Sequence, residues 1–416
     1  MSGGPEAVGR LPRPVADATT HERSPLAYGA FRRALVGRTV SSAGTWIQTV
    51  AAGWLVFNLT HSAVAVGVLT AFSRGPAIFL STYGGSLADR FDRRRLTIGL
   101  YAFQAIPAAL LAFLAWAGRP SMFGVYACTL LIGAAGALAS PATQPMIIAT
   151  VPPELAKRAT GISSASTNLA RLVGPAAAGG LLAVAGPGLC FAVNAASFGA
   201  VVLAAMTLPR NVGRSPGTAA SMRSAARRVR SQGLLRTIFP VVLLFSLLVA
   251  PVQELAPAVA HRYGEGGHML GFLLSGLALG GLIAIPTRSY LERRGVGPKD
   301  MLGWSMIVGA IALLLLAASP DYAIAILAMV LCGIGWDVIF IVGMSGAQLT
   351  DTRMSGVMTG LFFTTMLGGV TLGALLVGGL FDVIGVGWGL TACAVPVGLG
   401  GLRAGAWRAG LLSLRA

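Results

Sequence analysis

Lysine is nearly missing from this chain: of 31 basic residues only Lys157 and Lys299 are lysines, following Ala and Pro. A phosphate-cradling loop needs Gly-Lys-Ser/Thr, so neither can serve one, and ATP is excluded as the chain's own source of energy. Cysteine is scarce as well. Cys128, Cys190, Cys332 and Cys393 stand far apart inside apolar stretches with no C-x-x-C, and read as small apolar fillers. The four histidines, His21, His61, His261 and His268, lack metal-ligand spacing. With no nucleophile–base constellation in view, neither an enzyme nor a bound metal or cofactor is expected. Acids are few too, 14 against 31 bases, leaving a net charge of +17.

Apolar residues fill the space. They make up 55% of the chain against 11% charged, with a mean hydropathy of +0.75, which excludes a water-soluble globule of this size. A helix rising about 1.5 Å per residue needs ~20 apolar residues to cross a bilayer. That ruler marks twelve candidate spans: Val40–Leu59, Val64–Leu87, Leu96–Ala117, Met122–Ala149, Gly161–Val184, Leu189–Leu208, Ile238–Ala260, Met269–Tyr290, Leu302–Ala318, Tyr322–Leu349, Val357–Phe381 and Val386–Leu402. The expected fold is an all-α integral membrane protein.

The charges sit in alternate loops: Arg90 and Arg93 to Arg95, Lys157 and Arg158, Arg210 to Arg236, Arg293, Arg294 and Lys299, Arg353, then Arg403 and Arg408. The intervening loops hold little beyond Arg119 and Arg262. Cytoplasmic loops retain Lys and Arg, so both termini are expected inside the cell; 29 Arg against two Lys suggests a GC-rich bacterial genome, and so a bacterial plasma membrane. The basic balance then reports topology and contact with anionic headgroups, and excludes a nucleic-acid footprint. Residues 1–30, polar and rich in Pro and Gly, read as a disordered cytoplasmic tail.

Six spans end at Leu208, and a basic linker, 209–237, precedes six more in 238–402, with a cytoplasmic tail in 403–416. A six-plus-six arrangement points to internal duplication and alternating access. Gly161 and Gly174 recur at one offset as Gly356 and Gly369, and Asp89-Arg90 has an echo in Glu292-Arg293-Arg294. Gly276-x-x-x-Gly280 and Gly369-x-x-x-Gly373 are suited to close helix packing.

Four stretches now combine: Phe31 to Trp46, GWLVFNLT, LADRFDRRRL, and SSASTNLARLVGP from Ser163 to Pro175. Together they resemble the enterobactin-exporter-like, or transmembrane secretion effector, branch of the major facilitator superfamily, over about Phe31 to Phe381. The resemblance implies two pseudo-symmetric six-helix bundles. It implies that Asp89 caps the start of the eleventh helix, with Arg90, Arg93 and Arg94 forming a charge latch between the halves. It implies an antiporter motif at Gly174, Pro175, Gly179 and Gly180, preceded by Asn168 and Arg171. Two departures, Thr45 where the family often has a helix-1 acid and Thr143 where it often has an arginine after helix 4, count against proton coupling through the first helix.

Four charges fall within spans: Arg74, Arg171, Glu254 and Asp337. An ionised group in the bilayer needs a cavity or a partner, and Asp337 offers Arg74 one. Asp337, between Trp336 and Phe340, is the first candidate to load and release a proton. Glu254 is the second, at a helix end broken by Pro251 and Pro257. Gln48, Gln104, Gln144, Trp46 and Trp336 are candidate polar and stacking contacts. The expected protein is a monomeric, proton-coupled exporter of a small molecule. A facilitator or importer on the same fold, and a membrane sensor that moves nothing, are the alternatives.

Overall fold

A computed structural model describes residues 24–209, 229, 233–264, 267–348 and 355–412. The expected tail before residue 24, most of the 209–237 linker, Arg353 and the residues immediately before Ser355 lie outside the described residues. Helix α1 (Gly29–Thr60) begins well before its apolar stretch and ends at His61, whose φ of 49° is left-handed. Ser62, Asp92 and Ser121 each accept a hydrogen bond from the N–H three residues on. These caps start α2 (Ala63–Arg90), α3 (Arg93–Trp116) and α4 (Met122–Ile148).

The fifth and sixth expected spans form one rod, Ala156–Met206, broken at Gly186, where φ 71° and ψ −172° are open to glycine but strained for other residues. Its arms are α5 (156–185) and α6 (187–206). Helix α7 (Gly233–Leu248) starts inside the expected linker. It stops early and resumes as two short turns, Pro251–Glu254 and Ala256–Ala260, as the prolines imply. Then follow α8 (Gly267–Arg293), α9 (Pro298–Ala318), α10 (Tyr322–Gln348), α11 (Ser355–Ile384) and α12 (Val386–Leu412). The last continues into the stretch assigned to the tail.

Among the described residues, nine stretches are long and apolar enough to cross a membrane, the α5–α6 rod being one of them. No strand occurs among the described residues. Helices α1–α6 pack as one bundle and α7–α12 as another. The halves meet along two antiparallel pairs, α2 with α11 and α5 with α8.

The duplication is visible residue by residue. A Cβ on Gly174 of α5 would sit 2.5 Å from the Trp46 Cβ of α1, and one on Gly369 of α11 would sit 2.6 Å from the Ser246 Cβ of α7. Shifting by six helices converts one contact into the other. Gly276 seats against Ile326, Gly280 against the Val330 backbone, and Gly373 against the Leu247 carbonyl, so both expected glycine pairs pack helices inside the second bundle.

Successive helices alternate between two faces of the molecule. The basic face carries Arg90 to Arg95, Lys157, Arg158, Arg293, Arg294 and Lys299. The far face carries the His61 and His261 turns. On the far side the halves touch closely. A Cβ on Gly67 would come within 2.5 Å of the Ala374 carbonyl, one on Gly378 within 2.8 Å of that of Ala63, and one on Gly179 within 2.7 Å of the Gly271 Cα.

Candidate functional site

Between the halves lies a cavity of about 250 Å3. Trp46 (α1), Arg74 (α2), Asn168 and Arg171 (α5) form its wall on the first bundle. The second bundle contributes Phe245, Gln253, Glu254, Gly281, Trp336, Asp337 and Phe340 among others. The lining extends along α8 to Ile285, along α10 to Ile341 and back along α5 to Asn168, each step toward the basic face. The glycine contacts close the other side, so the cavity faces the basic side.

The four membrane charges meet here as two ion pairs, and each pair bridges the halves. Arg74 Nη2 lies 2.6 Å from Glu254 Oε1, and Arg171 Nη1 lies 3.3 Å from Asp337 Oδ1. The expected match of Arg74 with Asp337 is therefore corrected. Arg74 takes the acid at the break in the seventh span, and Arg171, on α5, takes Asp337. The Arg74 guanidinium also lies 5.9 Å from the centre of the Trp46 ring, in cation–π range. Glu254 is 7% exposed, whereas Arg74, Arg171 and Asp337 are 26, 21 and 19% exposed. Opposite charges side by side offset part of the cost of leaving water, and the cavity supplies further solvation.

Local sequence explains the positions. Pro175 lacks an N–H, so the Arg171 carbonyl loses its helical partner and α5 can bend there. Gly281 provides the seat for Asp337, since a Cβ at that position would collide with the carboxylate. Gly174 admits Trp46 to the cavity wall, and Gly179 lets α5 reach α8. Gly180 is exposed with no atom near its Cβ direction, so the fourth glycine of the expected motif carries no contact.

The loop signature is partly engaged. Asp92 caps α3 through Arg95 N at 2.8 Å, and Arg93 reaches Asp89 at 3.4 Å. Arg94 donates to the Ala205 carbonyl at 3.0 Å and the Met206 carbonyl at 2.6 Å, where it closes the end of α6. Among the described residues, Arg94's partners thus lie inside the first bundle. A cation is favoured there because the helix C-terminus is negative. Arg90 is exposed at the end of α2, and the start of α11 that Asp89 is expected to cap falls beside undescribed residues.

Trp46 and Trp336 line the cavity as expected, but the three glutamines do not. Gln48 accepts a 2.7 Å bond from the fully buried Asn194, Gln104 bonds the Leu100 carbonyl, and Gln144 faces Ser163. Thr45 and Thr143 bond carbonyls of their own helices, to Ser41 and Ala139. Sequence reasoning missed Gly281, Phe245 and Met366. Gly281 is one glycine among several in α8, and only the register of α8 against α10 distinguishes a seat for a carboxylate from an ordinary packing glycine.

The architecture matches solved transporters. A peptide-transporter-family protein bound to a thioalcohol-conjugated peptide superposes with a TM-score of 0.74 at 13% identity, over 91% of this chain and 96% of its own. The nucleoside transporter NupG gives 0.69 at 14% identity, over 91% and 98%. In sequence, the multidrug efflux pump Tap of Mycobacterium tuberculosis is 25% identical over 388 residues, 89% of this chain and 91% of Tap. The enterobactin exporter EntS of Escherichia coli is 25% identical over 354 residues, 84% of this chain and 85% of EntS. Residues 20–408 match the family described as transmembrane secretion effector, and the chain belongs to that family.

Proposed function

We propose that this protein is a secondary exporter of a small drug-like or siderophore-type molecule, exchanged for protons by alternating access, with its basic face in the cytoplasm. The observation that carries the proposal is the pair of ion pairs in the interface cavity, each joining one half to the other. A cavity closed on the far side and faced toward the basic side is the loading state of an exporter. The 25% identity to Tap and to EntS supports a drug-like or siderophore cargo. The aromatic walls, Trp46, Trp336, Phe245 and Phe340, suit a planar amphiphilic molecule.

Asp337 is the proton carrier in this proposal. A proton that adds to its carboxylate removes the negative charge and leaves Arg171 without an anionic partner. The bridge between α5 and α10 then weakens, and the halves can rock. The proton enters from the far side while the cavity is open there; once the cavity again faces the basic side it leaves to the cytoplasm and the bridge is restored. Arg74 and Glu254 form the second bridge, nearer the far side, with Trp46 stacked on the guanidinium. Asn168 and Gln253 add neutral hydrogen-bonding groups for cargo.

Inside-out vesicles carrying the protein provide the test. With an imposed pH gradient, acid inside, a fluorescent drug or a catecholate siderophore accumulates, and Asp337→Asn abolishes the gradient-driven part. Accumulation indifferent to the gradient, with counterflow intact, would replace the exchanger by a facilitator.

A further inference from the structure

The far side of the interface carries a carboxylate that transport by the ion pairs does not use. Asp382, at the end of α11, reaches across to the start of α2 in the other half. Its Oδ1 accepts from Ala63 N at 2.7 Å, and its Oδ2 accepts from Val64 N at 3.1 Å and from the Ser62 hydroxyl at 2.6 Å. Ser62 Oγ in turn accepts from Ala65 N at 3.2 Å. The first three N–H groups of α2 are therefore all satisfied, two of them by a side chain from the opposite bundle. We propose that Asp382 is the latch residue of the far-side gate: its carboxylate on the α2 N-terminus holds the transporter in the state whose cavity faces the basic side.

Three features support a gate and not an incidental cap. The bond spans the two halves, so opening the far side must break it, whereas caps such as Asp92 on α3 travel with their own bundle. It lies beside the close α2–α11 approach, Gly67 to Ala374 and Gly378 to Ala63, which keeps the capping distance short. And Phe57, edge-on, and His61, tilted, of the first bundle meet His261 of the second, with ring centres 5.4 and 5.6 Å apart, so a second contact joins the halves beside α2's start. The charge-assisted bonds stop abruptly when the halves separate, because a helix N-terminus attracts an anion only within its first turn. Such a contact makes the closed gate a discrete state.

The geometry also pairs with the other end of the same two helices. Antiparallel α2 and α11 each finish with an acid, Asp89 and Asp382, on opposite faces. Here Asp382 is engaged on α2, while Asp89 is exposed and reaches Arg93 of the next helix.

The proposal rests on alternating access but not on the cargo or the proton, and its test separates the two. Thr49 lines a smaller pocket toward the far side that shares Trp46, Arg171 and Glu254 with the cavity. A Thr49→Cys reporter, with the four buried cysteines replaced by alanine, is labelled in intact cells with a membrane-impermeant maleimide. Asp382→Asn is expected to raise the labelling rate roughly tenfold, the scale of losing a charged cap with its hydrogen bonds. Asp382→Glu, which keeps the carboxylate, should restore most of the protection. With a transported cargo, Asp382→Asn should raise KM from the cytoplasmic side, because fewer molecules present the loading state, while kcat changes less. Unchanged labelling in Asp382→Asn, or equal labelling in the Asn and Glu variants, with melting temperature preserved, overturns the latch. A labelling shift in a protein that moves no cargo overturns only the export proposal.

Discussion

The Arg74–Glu254 pair can be tested by removing its partners one at a time and then together. Breaking a buried pair from one side costs ~3–5 kcal/mol, because a charge is stranded. Glu254→Gln strands Arg74, which is 26% exposed to the cavity and keeps its contact with Trp46 at 5.9 Å. Water and the ring offset part of the loss, the ring by ~0.5–1 kcal/mol, so about 2 kcal/mol is expected. Arg74→Gln strands Glu254, only 7% exposed, and about 3 kcal/mol or more is expected. The double variant strands nothing, and two neutral amides can bond each other, leaving a loss of about 1 kcal/mol. The interaction energy of the cycle is then roughly 4 kcal/mol or more. Thermal unfolding in one detergent, followed by tryptophan fluorescence, should rank the double variant above Glu254→Gln and Glu254→Gln above Arg74→Gln. A double variant that melts below both singles, by the sum of their losses, would refute the pairing.

Gly281→Ala drives a methyl group into the space of the Asp337 carboxylate. Gradient-driven export should fall at least about tenfold with all four charges still present, which vesicle uptake would measure. Gly174→Ala places a Cβ 2.5 Å from that of Trp46, and overpacking of this kind costs ~1–3 kcal/mol, visible as a lower melting temperature. Gln48→Leu leaves the buried Asn194 amide without its 2.7 Å acceptor, again ~1–3 kcal/mol. Export per folded molecule should be preserved in that variant, since Gln48 does not line the cavity.

The helices, their order and the two-bundle plan were legible because the bilayer constrains them so tightly: a run of ~20 apolar residues has few other fates. The breaks at Gly186 and after Leu248 follow from glycine and proline chemistry that can be read locally. Pairings were harder. Arg74, Arg171, Glu254 and Asp337 stand out as charges in apolar runs, yet which acid meets which base depends on how α2, α5, α7 and α10 are rotated about their axes. A glycine-rich helix with weak amphipathicity does not reveal that rotation. Gln48 illustrates the point: it is three residues from the Thr45 that departs from the family pattern, and it faces Asn194 on α6, away from cargo. Asp382 went unmarked for a related reason. An acid at the end of a span looks like an ordinary loop residue until the opposite bundle is seen to begin beside it.

The interface contacts fall into two classes that respond differently to movement. The glycine approaches and the Asp382 cap lie on the far side and vanish when that side opens. The two ion pairs lie deeper, where a rocking motion changes distances least, so under the proposed mechanism they serve as the pivot as well as the bond that a proton weakens. Apolar residues of similar volume would hold the halves together as well or better, since a buried ion pair recovers its desolvation cost only with difficulty. They would, however, hold them regardless of protonation. In the proposed exchange, charge at the pivot makes the strength of the joint depend on one proton, and the proposed cap at the rim lets a modest change at the pivot decide which face is open. A transporter needs the two states to differ by only a few kcal/mol, and that balance is easier to keep with a weakened pivot and a releasable rim than with a continuous apolar seam.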